Sequence, residues 1–186
     1  MIIAGAAAVI SIFGGLGLFW ARGYYGFGLL GFASSILLAV GVLLAGFGYK
    51  GIKTNYGLGI GTAGFAFGII TFVFLIVQSI LTVITPYSYY GYYYYYNSWW
   101  VVVSIFAIVA VEMFAVAQIL WGVAHIKSRR YSGNSGLGMA AGILLIISGA
   151  FTASIILSFV GFVLFLVGGI LAVIVFLMAK IPPPRP

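Results

Sequence analysis

Cysteine and aspartate are absent from this 186-residue chain, and it holds one glutamate, Glu112, and one histidine, His125. Without a thiol there is no disulfide, iron–sulfur cluster, zinc–thiolate site or thiol nucleophile within the chain. A Ser-His-Asp triad lacks its aspartate, a glycosidase-type carboxylate pair lacks its second acid, and a two-metal phosphotransfer site lacks ligands. One histidine alone makes neither a bis-histidine haem site nor a multi-histidine copper or iron site. Gly-Leu-Gly at 57–59 and 136–138 has no strand before it, so it is no dinucleotide fingerprint. These absences argue against a self-contained enzyme and imply neither cofactor nor metal.

Charge is equally scarce. Only 5% of the residues are charged and 65% are hydrophobic, where a soluble domain carries about 25% charged residues. Eight Lys/Arg and one acid cannot build a water-facing surface. Lipid is therefore the main solvent, and residues 1–186 read as one transmembrane helical domain. The net charge of +7 is no nucleic-acid footprint, because the basic residues sit between apolar runs, where topology places them. Met1 opens directly in an apolar run with no basic stretch, so a cleaved secretory signal is not expected.

What is present is length. A spanning helix needs about 20 apolar residues. The apolar runs predict an all-α membrane bundle of about six transmembrane helices, at 2–20, 25–49, 58–84, 99–124, 137–159 and 162–179. Helices satisfy every backbone amide internally, and runs such as 142–147 and 170–177 do not alternate as barrel strands would. Residues 137–179 carry no charge, and one straight helix of that length would run about 64 Å, so a tight turn is expected near 158–161.

Lys50 and Lys53 lie in the second predicted loop. Lys127, Arg129 and Arg130 lie in the fourth, and Lys180 and Arg185 in the tail. Six helices with both termini cytoplasmic put seven of the eight Lys/Arg inside, leaving only Arg22 outside. Loop 85–99 then faces outside the cell membrane. Residues 85–100 hold ten aromatics and no charge. They serve either as an aromatic belt or as a partner-docking surface, for which Tyr92, Tyr93, Tyr94, Tyr95, Tyr96, Trp99 and Trp100 are the candidates.

Small residues recur at four-residue spacing. Gly57 and Gly61, Gly64 and Gly68, and Gly138 and Gly142 form stripes that let helix backbones approach. Packing within the bundle explains them; the longest stripe, Gly57 to Gly68, is also the candidate for a partner contact. Gly48–Lys53 is echoed by Gly122–Lys127 at an offset of 74, suggesting duplicated hairpins.

Glu112 falls near the middle of the fourth predicted helix, where a charge costs about 2.5–3.5 kcal/mol on insertion scales. No Lys or Arg lies within a predicted span to pair with it, and Ile105, Ile108, Val109, Ala115, Val116 and Ile119 share its face. It reads as a proton or cation site, as a contact to another subunit, or as a carboxyl bonded to a neighbouring helix. Gln78 and Gln118 are the other strongly polar intramembrane candidates, and interhelical hydrogen bonding is their simple reading. Gln78 and Glu112 differ in depth by roughly 9 Å. His125 is expected at the membrane interface, beside the basic loop.

The Tyr-rich run 87–96, the Gly/Ile/Val-rich helices, the lack of cysteine and the Pro-rich end give the chain a resemblance to the uncharacterised multi-pass membrane proteins common in thermophilic archaea. The resemblance implies a membrane location and a hot habitat and transfers no functional residue. Together the features suggest a non-catalytic accessory or structural subunit of a larger membrane complex, with membrane lipid and other membrane protein subunits as partners. A respiratory complex is one host of that kind. The alternative is a small transporter or channel, expected as a homo-oligomer, using Glu112 as its proton or cation site.

Overall fold

The structure, a computed structural model, describes residues 29–84, 98–154 and 157–179. Within them the chain forms five helices: α1 (Leu29–Tyr56), α2 (Ile60–Ile84), α3 (Ser98–Ser128), α4 (Ser135–Ala153) and α5 (Ser158–Met178). A short 3₁₀ turn, Arg129–Tyr131, links α3 to α4. All five are long and apolar enough to cross a membrane, so the chain is a multi-pass membrane protein. The predicted helix at 2–20 and the loop residues Tyr92 to Tyr96 lie outside the described residues. Trp99 and Trp100 fall in the first turn of α3.

Each helix packs against its sequence neighbour, and α3 also touches α1. The α1–α2 and α3–α4 links lie at one end, which carries Lys50, Lys53, Lys127, Arg129 and Arg130. The α4–α5 link lies at the other. Side chains on the outside are apolar, including Leu37, Phe47, Val73, Ile105, Ile147, Val167 and Ile170. In water such a surface would be an aggregation liability; in lipid it is the solvated face. The core is built from Leu38, Val42, Tyr49, Phe114, Trp121, Leu145 and Phe165, among others.

Several boundaries differ from expectation for physical reasons. α1 continues past residue 49 to Tyr56, because lysines on a helix end reach outward without breaking it. It stops at Gly57, which takes φ 70° and donates its N–H to the Lys53 carbonyl at 2.8 Å, a left-handed cap that glycine adopts without a Cβ penalty. Gly57 is therefore a terminator rather than part of a packing stripe. At the start of α4, Asn134 Oδ1 accepts from the N–H groups of Gly136 and Leu137 at 3.0 and 3.2 Å. The echoed Gly-Leu-Gly triplets thus differ: 57–59 is a link, while 136–138 is the first turn of α4.

The turn between α4 and α5 comes earlier than 158–161. It starts at Ser154, and Leu157 donates to the Ser154 carbonyl at 2.8 Å. Gly161 sits inside α5, where a Cβ would lie 2.6 Å from the Thr152 backbone nitrogen. It serves close helix approach, not the bend.

The remaining glycines of the predicted stripes face inward. Gly61 abuts the Tyr49 carbonyl, Gly64 the Trp121 indole and Gly68 the backbone of Gly46. Gly138 packs on Arg129 and Ser132, and Gly142 on the carbonyl of Gly122. The α2 stripe is thus filled by α1 and α3 of the same chain and is not a free face for a partner.

Candidate functional site

α3 is the hub of the bundle and carries Glu112, Gln118, Trp121 and His125. At 100° per residue, Gln118, Trp121 and His125 share one face (i, i+3, i+7), while Glu112 points about 120° away from Gln118. The inward face meets each of the other four described helices. Trp121 reaches α1 and α2 through Tyr49 and Gly64, Gln118 reaches α4, and Phe114 reaches Phe165 of α5 with ring centroids 5.1 Å apart.

The inward polar group is a three-helix knot. The Ser148 hydroxyl of α4 lies 2.7 Å from Gln118 Oε1 and 2.8 Å from the Gly161 carbonyl of α5. Thr152 Oγ1 lies 3.4 Å from the same Gln118 oxygen. A hydroxyl has one proton, so Ser148 donates to one of its two acceptors at a time. Meanwhile Gln118 Nε2 is buried with no partner among the described residues. Turning the amide so that Nε2 faces Ser148 makes a consistent relay: Gln118 donates to Ser148, and Ser148 donates to Gly161. In hydrocarbon such bonds hold helices together because no water competes for them. Ser148 and Thr152 are partners that the sequence alone does not single out.

One turn further along α3 lies an aromatic stack. The Trp121 and Tyr49 rings are parallel, 3° apart in tilt with centroids at 5.1 Å, and Trp121 Nε1 donates to the Gly64 carbonyl at 3.1 Å. That carbonyl can accept a second hydrogen bond because a carbonyl oxygen has two lone pairs. His125 meets Tyr49 edge-on at 5.4 Å and Phe176 at 5.0 Å. His125, two residues before Lys127, is 1% exposed, and neither ring nitrogen has a hydrogen-bond partner among the described residues. Its position near the basic loop is readable from the sequence; its enclosure by α1 and α5 is not, because those contacts are distant along the chain.

Glu112 lies on the other side. Its stripe holds Ile108 and Ile105, one and two turns back, and these are 48% and 54% exposed. Glu112 is itself part-exposed, and no hydrogen bond or ion pair holds it among the described residues. The chain's one acid thus sits part-exposed at mid-helix, on the side of α3 away from Gln118, while Ala115 and Ile119 further along its face pack on Gly149 of α4. Gln78 is buried on α2. Gln118 bonds to α4 and Glu112 lies on the other side of α3, so the three predicted polar residues do not form one cluster.

Chemically, this arrangement braces helices. Among the described residues no three of His, Cys, Asp and Glu stand together where they could hold a metal ion. No protein-family model, curated protein or solved structure matches this chain.

Proposed function

We propose that this chain is a non-catalytic subunit that packs in the bilayer against another membrane protein, with the part-exposed face of α3 around Glu112 as the contact. One observation carries the reading: the only acid in the chain is part-exposed at mid-helix, beside the exposed Ile105 and Ile108, with no polar partner among the described residues. A carboxyl facing hydrocarbon is expensive, and a helix offering a basic, amide or hydroxyl group opposite it removes that cost. The inward glycine stripes support a chain that completes its own core first and then docks as a unit. A transport role for Glu112 would need a hydrated route through the bundle, whereas the carboxyl lies on the side of α3 away from the buried polar group at Gln118.

The absence of cysteine makes the test direct. Ile108→Cys introduces a unique thiol one turn from Glu112 and leaves the acid in place. Cross-linking in native membranes should join it to a larger, unrelated membrane protein that co-purifies in stoichiometric amount in gentle detergent. Glu112→Leu should release that protein while the bundle keeps its melting temperature. A cross-link to a second copy, or a chain that purifies alone and is indifferent to Glu112→Leu, would overturn the reading.

A further inference from the structure

All five described cations, Lys50, Lys53, Lys127, Arg129 and Arg130, lie at one end of the bundle, and all are exposed. No acid balances them there. Glu112 is the only Asp or Glu in the chain, and it stands fifteen residues up α3 from Lys127, about 22 Å away. The end is therefore an uncompensated positive surface. The stack of Tyr56 on Tyr131, with centroids 4.5 Å apart and planes 8° from parallel, ties the end of α1 to the turn that follows α3.

Where the charges sit is more informative than their number. The Lys50 ammonium lies 5.0 Å from the centre of the Phe65 ring. Phe65 in turn packs on Phe47 at 5.0 Å, and Phe47 is 47% exposed on the lipid-facing wall. On another side of the bundle, Arg129 Nη1 lies 3.4 Å from the sulfur of Met139, an apolar side chain 42% exposed on α4. Two cations, one on α1 and one in the turn between α3 and α4, thus lie against apolar side chains at the rim of the apolar belt. A rim where an apolar belt ends beside exposed cations is where lipid phosphates are expected to lie. Long basic side chains with apolar stems lie there by snorkelling, and they attract anionic headgroups electrostatically.

We infer that the rim formed by Lys50 and Arg129 binds the headgroups of anionic phospholipids, so that the bundle carries a selective lipid collar at its basic end. A site built for free phosphate or a nucleotide would present its cations toward water, away from exposed Phe47 and Met139. Arg130, 5.0 Å over the Tyr131 ring, adds to the field of the same end. The inference is independent of the Glu112 contact, which lies deeper in the membrane on α3.

Native mass spectrometry of the full chain, released from micelles containing phosphatidylglycerol and phosphatidylcholine, tests it. Phosphatidylglycerol should be retained preferentially, and the preference should fade in high salt. Each rim charge removed should weaken retention about fivefold. The Lys50→Gln, Arg129→Gln double variant should therefore lose most of the preference, while Lys53→Gln, Lys127→Gln keeps more of it. All four side chains are exposed, and unchanged melting of both variants checks the fold. Equal retention of the two lipids by the unaltered protein would overturn the inference. So would an equal loss in both double variants, or displacement of the lipid by millimolar inorganic phosphate.

Discussion

The Trp121 indole lies flat against the Tyr49 ring while its Nε1 donates to the Gly64 carbonyl, so one side chain of α3 joins α1 and α2. Gly64 has to be glycine for this, since a Cβ there would come within 2.8 Å of Trp121 Cδ1. Trp121→Phe keeps most of the stack and loses the hydrogen bond. It should cost about 1 kcal/mol, the scale of interhelical bonds in membranes. Trp121→Ala also opens a cavity and should cost about 3–5 kcal/mol. Thermal unfolding in a mild detergent reads both. Equal losses in the two variants would remove the separate role given to the indole N–H.

Gly122 and Gly142 form a close crossing of α3 and α4. A Cβ on Gly122 would lie 2.5 Å from the Gly142 carbonyl oxygen, and one on Gly142 would lie 2.7 Å from that of Gly122. Either Gly→Ala change forces the helices apart and should destabilise by about 1–3 kcal/mol, despite alanine's better helix propensity. Gly169 is the control. A Cβ there meets nothing within 4 Å among the described residues, so Gly169→Ala should be neutral or stabilise by up to about 1 kcal/mol. A melting series of the three alanine variants in which Gly169→Ala ranks as the most damaging would contradict this packing.

Gln118 and Ser148 should be energetically coupled. A double-mutant cycle with Gln118→Leu and Ser148→Ala should return about 0.6–1.7 kcal/mol, the range for polar pairs between membrane helices. Thr152→Val should matter less, because its hydroxyl is 3.4 Å from Gln118. Strictly additive single changes would show that the knot is not a working hydrogen-bond network.

His125 offers the opposite expectation. Its two nitrogens are buried without hydrogen-bond partners among the described residues, and an unsatisfied buried polar group costs about 1–3 kcal/mol. His125→Leu removes both groups at similar bulk and should leave stability unchanged or raise it by about 1 kcal/mol. A loss above about 3 kcal/mol on denaturant unfolding would mean that the imidazole makes a bond outside the described residues.

Much of the architecture is legible in the sequence. The runs of apolar residues, broken by Lys50, Lys53 and the 127–130 cluster, require helices in lipid, because only a hydrogen-bonded backbone is tolerated there. Helical spacing alone puts Ile105, Ile108 and Ile119 on the face of Glu112. Whether that face looks inward or outward is not legible. In a water-soluble helix polarity distinguishes the core side from the solvent side, but in a membrane both sides are apolar and that contrast disappears.

Composition and order along the chain therefore determined the solvent, the helical class, the clustering of cations between particular spans and the poverty of catalytic groups. Tertiary structure alone decided which side of each helix is interior. It turned the α2 glycines toward Tyr49, Trp121 and Gly46, enclosed His125 between Tyr49 and Phe176, tied Gln118 to Ser148, and left Glu112 part-exposed. These outcomes rest on backbone approach and side-chain fit between residues up to 76 positions apart, such as Tyr49 and His125. Spacing within one helix carries no information about such contacts.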